Sequence, residues 1–452
     1  MLIGSRVLQG AMAATMIPQI LSIIQANFLP GERATAFAAY GTAAGLANVS
    51  GPLVAGLLIQ ADLFGLGWRS IFLINLPVGV ALLIAAAMLV RESEAPIALR
   101  LDPVGVAIVS VGLLLVLYPL LQGRELGWPA WSFVALTTAV PVLTIFVLWE
   151  RRKTRRDGSP LVSLGLFRQR AFVAGLAVTL IVVAGISSFF LVYVLYAQIG
   201  LGFSTLTAAL FAMPWPIGIA LAAGISGRHA AAGRHLLTVG SLLVALGLAA
   251  LAWTIRHYGP EITGWHLMPA LAVGGLGIGL VFPPLTDITL AGVQPRDAGS
   301  ASGVVSTAQQ FGGAAGVAVI GVIFFGLLAS EATTSVDAVT PQIRNGLAAA
   351  GLPPATTQQV VADFRDCFVD RSIQPDPTVI PPSCRANQPG TVDASTAAHK
   401  KIGRVVEAAA ADAVRLNFSR AAEQTIWWQA GAFLVAFLLA FLLPHKVLSH
   451  QP

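Results

Sequence analysis

Two ionisable side chains interrupt the long apolar segments of this 452-residue chain, and any charge relay would have to start from them. Arg6 lies in GSRVLQGAMAAT (4–15), near the start of the apolar segment 2–25, and Asp287 lies in FPPLTDITL, near the end of the segment 267–290. A charge on a helix in hydrocarbon costs at least ~2.5–3.5 kcal/mol on insertion scales, so it faces a partner or a wet cavity. The alternative is snorkelling for Arg6, which sits near a segment end, and an interfacial location for Asp287. Uncharged polar residues are commoner: Gln9, Gln19, Asn48, Asn75, Gln198, Gln309 and Gln310. Such groups usually bond between helices at about 0.6 kcal/mol each, and a minority line a pathway. The pair Gln309–Gln310, followed by GGAAG, is the leading candidate for that minority. The run FFLVYVLYAQ (189–198) puts Phe189, Tyr193 and Tyr196 on roughly one side of a helix. That side could stack on a flat lipophilic cation, while Tyr196 fits an interfacial aromatic belt equally well.

The elements that must carry these residues follow from composition. Of the 452 residues, 56% are hydrophobic and 11% charged, where a soluble domain has roughly a quarter charged. Apolar runs of about twenty residues recur, each long enough to cross a hydrocarbon core of about 30 Å as a helix. The fold class expected is therefore an all-α polytopic membrane protein with about 11 transmembrane helices. Their spans are 2–25, 35–60, 70–90, 103–122, 130–149, 172–197, 205–225, 236–255, 267–290, 302–328 and 425–444. No basic leader or small-residue cleavage site marks 1–25 as a signal peptide. GGLGIG (274–279) lies inside an apolar span and follows no strand, so it is not read as a dinucleotide fingerprint. Gly41–Gly45, Gly275–Gly279 and Gly312–Gly316 instead have the four-residue spacing that lets helices approach closely.

Lysine and arginine placement sets the orientation. One set of alternate loops holds Arg33, Arg91, Arg100, Arg151, Arg152, Lys153, Arg155, Arg156, Arg168, Arg170, Arg228, Arg234, Arg296 and Lys446. The other short loops hold Arg69, Arg124 and Arg256 alone. The first set is expected to be cytoplasmic, which puts the C-terminus inside and the N-terminus outside. The pI near 9.7 then reflects basic loops facing an anionic leaflet, with no nucleic-acid partner implied. The segment 329–424 is expected as an extracytoplasmic loop, with 151–171 as a basic cytoplasmic one. Outside, Cys367 and Cys384 are candidates for a disulfide, against two free thiols in a variable loop. No span gathers His, Asp, Glu or Cys at one depth, which argues against a membrane-embedded enzyme and a metal site.

At this point the phrases resemble one family, the major facilitator superfamily, in its fourteen-span drug:proton antiporter branch. RVLQGAMAA resembles that family's fourth-helix motif, with Arg6, Gln9 and Gly10 on the matching positions. GLANVSGPLVAG (45–56) resembles the fifth-helix antiporter motif, with Gly45, Gly51, Pro52 and Gly56, and with Ala55 in place of one paired glycine. WRSIFLINLPVG (68–79), LDPVGVAIVSVGLLLVL (101–117), YAQIGLGFSTLTAALFAMPWPIG (196–218) and AGSASGVVSTAQQFGGAAGVAV (298–319) resemble later helices in the same order. The resemblance aligns residue 1 near the start of the fourth helix, which accounts for eleven spans and an outside N-terminus.

The resemblance implies two helix bundles around a midplane cavity that rock to alternate access. The N-terminal bundle would be represented by 1–90, two central extra spans by 91–150, and the C-terminal bundle by 172–328 with the last span 425–444. Arg6 and Gln9 would serve proton coupling, with Gly10, Gly45, Gly51, Pro52 and Gly56 in helix packing or hinging. Asn48, Asn75, Phe189, Tyr193, Gln198, Gln309 and Gln310 would face the substrate, and Arg228, Arg234 and Asp287 would form a cytoplasmic gate. In GISGRHAAAGRH (224–235) the gate motif's acidic position falls on Ala230 or Ala231, a departure from the family. The implied function is proton-coupled efflux of lipophilic or cationic drugs across the plasma membrane, with a proton gradient and no cofactor as the energy source. The alternatives are carriage of a natural metabolite, or an inactive truncated form of such a transporter.

Overall fold

A computed structural model describes residues 2–62, 65–89, 102–123, 126–156, 158–229, 232–294, 297–374, 379–385 and 397–443. The side chains of Arg6, Gly45, Asn48 and Pro52, and the residues Ala230 and Ala231, lie outside the described set. Among the described residues every regular element is helical. In chain order these are α1 (Leu2–Asn27), α2 (Pro30–Ala61), α3 (Ser70–Leu73), α4 (Asn75–Leu89), α5 (Pro103–Gln122), α6 (Ala130–Arg156), α7 (Arg170–Leu195) and α8 (Thr205–Ala212). Next come α9 (Pro214–Arg228), α10 (Gly233–Tyr258), α11 (Gly264–Leu290), α12 (Ala298–Ala349), α13 (Pro354–Ile373), α14 (Pro382–Arg385) and α15 (Ala397–Ala440). Among the described residues, eight helical stretches are long and apolar enough to cross a membrane, and α1 adds a shorter apolar stretch, Leu8–Ile24.

The helix ends are written locally. Asp102 caps α5 by accepting the Gly105 N–H at 3.0 Å, with Pro103 pre-set at the first helical position. Ser204 caps α8 through the Thr207 N–H at 3.1 Å. The single span expected over 205–225 bends at Met213, because Pro214 and Pro216 supply no backbone donor there.

Glycine decides which helices can touch. A Cβ built on Gly275 would run into the Trp215 carbonyl on α9, and one on Gly277 would lie 2.6 Å from the Gly240 carbonyl on α10. The GGLGIG stretch thus lets α11 lie backbone-to-backbone between α9 and α10, in the close packing its spacing implies. Gly312 and Gly316 do the same for α12, which rides on the α7 backbone at Leu180 and Ala184.

Several span boundaries differ from expectation. The span expected to stop at 328 continues unbroken to Ala349, and the last helix starts at Ala397 and ends at Ala440 in place of 425–444. At 1.5 Å per residue, α12 is about 78 Å long and α15 about 66 Å, well beyond a hydrocarbon core of about 30 Å. The described residues of 329–424 therefore form a helical extension with its own core, built on Val336, Ile343, Leu347, Phe364, Ala409 and Ala413. Hydropathy falls where these helices leave the apolar layer, but polar residues sustain a helix as well as apolar ones. The Cys367–Cys384 disulfide ties α13 to α14 at the tip. For the same reason α6 runs through Arg156, so the first third of the basic segment 151–171 is helix and not loop.

Candidate functional site

The helices α1 and α2 meet α7, α11 and α12 at the basic end of the molecule, where α2 and α7 begin beside Arg33, Arg168 and Arg170. Leu21 and Ile24 from α1, Phe37 from α2, Phe172 from α7, Leu290 from α11 and Val305 from α12 are buried together there. Leu166, from the 3-10 turn Leu164–Arg168, is 2% exposed and packs into the same cluster. Five helices and a linker, from positions 21 to 305 of the chain, thus share one buried apolar cluster at this end, a seal between them. Water is excluded at their convergence because each side chain finds carbon neighbours on another helix.

Along its length α2 packs against α8, α9 and α11, and so forms the contact strip between the α1–α2 group and the group of α7–α12 with α15. A Cβ on Gly41 would lie 3.9 Å from Phe282 and 4.0 Å from Pro283 of α11, and one on Gly56 would lie 3.5 Å from Leu206 of α8. Small residues let α2 lie this close at both ends. Beside the seal, Asp287 is half-buried on α11 and within electrostatic reach of Arg33 at the start of α2. The Arg33 Nε donates to the Phe28 carbonyl at 3.0 Å, which fixes the guanidinium at that turn. An apolar plug with one opposite-charge pair across its rim is an arrangement that can open and close.

The other expected site residues are distributed unevenly. Gln9 and Gly10 are exposed on α1, Gln310 is exposed and Gln309 half-buried on α12. Gln310 sits five residues beyond Val305 and Gln9 twelve before Leu21, so both glutamines lie on the inner side of the seal, about 8 Å and about 18 Å along their helices. Gly51 is exposed, with open space around it. Asn75 is exposed, its amide donating to the Ile71 carbonyl of α3, 3.5 Å away. Gln198 is half-buried in the π-turn Tyr196–Gly200 that ends α7.

Phe189 and Tyr193 require correction as cavity residues. Phe189 is 1% exposed and stacked on Trp215, with ring centroids 4.6 Å apart, and the Tyr193 hydroxyl donates to the Ala208 carbonyl at 2.8 Å. A one-sided aromatic stripe fits a helix core as well as a wall, and here the other side of the stripe is filled by α8 and α9. Arg234 also leaves the gate. Its Nη2 donates to the Phe441 carbonyl at 2.9 Å and its guanidinium lies over the Phe441 ring, so it caps the end of α15 within its own helix group. Arg228 is exposed at the end of α9. Of the three gate candidates, Asp287 is the one that faces α2.

Sequence reasoning missed Arg33, which it counted only as a loop charge, and Leu166, which it left in a basic linker. The phrase SLGLF (163–167) was the available signal, an apolar cluster amid charges.

Comparison with known proteins closes the assignment. The Major Facilitator Superfamily profile matches residues 1–317. The chain is similar to the probable actinorhodin transporter of Streptomyces coelicolor, 44% identical over 99% of this chain and 76% of the relative. It is 33% identical to the puromycin resistance protein pur8 of Streptomyces alboniger, over 72% of this chain and 64% of the relative. It is 27% identical to the multidrug efflux pump LfrA of Mycolicibacterium smegmatis, over 83% of this chain and 74% of the relative. The chain therefore spans about three quarters of the first relative's length and less than two thirds of the second's. It belongs to the Major Facilitator Superfamily, a family of multi-pass transporters seated in lipid that carry small molecules.

Proposed function

We propose that this chain is a secondary transporter that expels lipophilic, often cationic, drug-like molecules across the plasma membrane in exchange for protons. The observation that carries the reading is the seal at the basic end, where α1 and α2 close against α7, α11 and α12. An alternating-access transporter needs a closure that involves both helix groups and can be parted by their rocking. The glycine strip of α2 and the Arg33–Asp287 pair supply a contact of that kind. The basic end is the cytoplasmic one in this reading, which also places the C-terminus inside. Arg6 and Gln9 serve coupling, Gly51 and Pro52 the hinge-like packing of α2, and Gln309 and Gln310 the cavity wall. A fixed cation such as Arg6 lowers a neighbouring carboxylate's proton affinity and so times its release. No enzymatic step and no cofactor enter, since the proton gradient supplies the work.

The names of the relatives, which include a puromycin resistance protein and a multidrug efflux pump, support drug export. A second reading, export of a natural product made by the same cell, is favoured by the 44% identity to a probable actinorhodin transporter. Proteoliposomes with an imposed proton gradient separate the possibilities. Gradient-driven movement of ethidium that a protonophore stops, and that Arg6→Ala abolishes without loss of membrane insertion, is the expected result. Movement of actinorhodin but not ethidium would select the second reading. Transport indifferent to the gradient would reject proton coupling, and full activity in Arg6→Ala would remove Arg6 from it.

A further inference from the structure

Outside the seal, two carboxylates meet at the foot of the α5–α6 hairpin. Asp102 is 4% exposed and Glu150 fully buried. Asp102 Oδ2 and Glu150 Oε1 both lie 2.7 Å from the point where a Cβ on Gly105 would stand. The two oxygens are therefore no farther apart than twice that distance, and the missing side chain of Gly105 leaves the space between them open. Their partners differ. Asp102 accepts the Gly105 N–H at 3.0 Å on Oδ1, and the Trp149 Nε1 at 3.0 Å on Oδ2 and 3.2 Å on Oδ1. Glu150 accepts the Val162 N–H on Oε2 at 3.1 Å, while Oε1 is buried with no partner.

We infer that this cradle is a proton-binding site, in which Glu150 carries the proton on Oε1 and donates it to the Asp102 carboxylate. Two buried carboxylates this close do not both stay ionised. Both Asp102 oxygens already accept N–H donors while Glu150 Oε1 has none, which leaves the proton to Glu150. The proton also gives Oε1 the partner it otherwise lacks, and an unsatisfied buried carboxylate oxygen would be costly. Among the described residues, the charged groups that act on Glu150 are Asp102 and Lys153.

The site is wired to the seal. Glu150 anchors Val162, and the next residue, Ser163, donates its Oγ to Asp297 at 2.6 Å and its N–H to the Ser300 Oγ at 2.9 Å. Three residues on, Leu166 is in the seal. Losing the proton places two like charges in the cradle, pushes Glu150 away from Asp102 and strains the anchor that holds this linker. The proton site stands independently of what the protein transports; only its consequence for gating rests on the transporter reading.

Infrared difference spectroscopy of the full chain at neutral pH tests it. Wild type minus Glu150→Gln is expected to show one protonated-carboxyl stretch, lost in the variant and sensitive to deuterium exchange. Gln can donate to Asp102 as the protonated acid does, so this variant keeps the fold. Asp102→Asn keeps the cap but removes the charged neighbour, and is expected to turn that band into a carboxylate band. The protection of the Val162 amide against hydrogen exchange, taken relative to the intrinsic base-catalysed rate at each pH, should fall as pH rises in wild type and stay constant in Glu150→Gln. A difference spectrum showing an ionised carboxylate at Glu150 in wild type would overturn the inference. So would a cradle whose spectrum depends on sodium concentration at fixed pH, since the ligand would then be a metal cation.

Discussion

The helix α11 and the stretch Gly67–Leu89 are both apolar enough to cross a membrane, yet the structure uses them in opposite ways. The most apolar window of Gly264–Leu290 is 61% buried inside the protein, while that of Gly67–Leu89 is 0% buried, although it is the more apolar of the two. In water the ranking would be reversed. In a bilayer the lipid tails are as apolar as leucine, so apolarity does not draw a helix inward, and the ability to approach another backbone does. Gly274, Gly275, Gly277 and Gly279 give α11 that ability on two sides. The stretch 67–89 turns Leu82, Leu83, Met88 and Leu89 outward, each more than half exposed. Glycines that meet a neighbouring backbone, and not apolarity, therefore mark the packed block α7–α11, whereas Gly79 in the exposed stretch meets nothing; in the proposed cycle α1 and α2 move against that block.

The largest effect that could break this comparison comes from adding volume. Gly275→Leu drives a side chain into the Trp215 carbonyl, a backbone atom that cannot swing aside. The expected cost is at or above the upper end of about 1–3 kcal/mol for overpacking, read as a fall in melting temperature or as loss of monodisperse protein in detergent. Gly51→Leu enters open space, so its stability should hold within about 0.5 kcal/mol, while transport should fall if that face of α2 moves during the cycle. Equal destabilisation by both variants would mean that α2 belongs to the rigid block.

The extension 329–424 gives the next effect, and it should stay local. Cys367→Ser with Cys384→Ser opens a loop of seventeen residues, a change of roughly 3 kcal/mol in the chain-entropy account. Hydrogen exchange should accelerate in α13 and α14. The membrane part should be unaffected, because Val336, Ile343 and Phe364 form a core separate from that of α7–α11. Loss of transport in the double variant would show that the extension is coupled to the helices that move.

Much of this was readable in the sequence, for reasons that also explain the failures. Glycine spacing announced the packing of α11 and α12 because close approach depends on the absence of a Cβ, which is visible residue by residue. The Cys367–Cys384 pairing was readable from two cysteines in one polar segment. Phe189 and Tyr193 were misplaced because a one-sided stripe states only that one side differs. Whether Trp215 or a cavity fills that side depends on a helix twenty-odd residues away. The length of α12 was misjudged because hydropathy reports the surrounding medium and not where a helix stops. Leu166 could not have been assigned at all, since its neighbours in the seal come from positions 21, 37, 172 and 290.

The smallest effects should separate the moving contact from the static one by charge alone. Asp287→Asn removes the attraction to Arg33 that spans α2 and α11 at the seal, while Arg234→Ala removes a cap that lies within one helix group. Each change is expected to cost about 0.3–1 kcal/mol, too little for a melting curve to rank them. They should differ in what they release. A weakened rim shifts the balance between closed and open seals, so a thiol reagent should label Phe37→Cys up to about fivefold faster in the Asp287→Asn background, the factor that corresponds to ~1 kcal/mol. Arg234→Ala should leave that labelling rate unchanged and instead loosen the end of α15 near Phe441. If both variants speed labelling alike, α15 and the seal move as one body, and the division between rigid block and moving strip has to be redrawn.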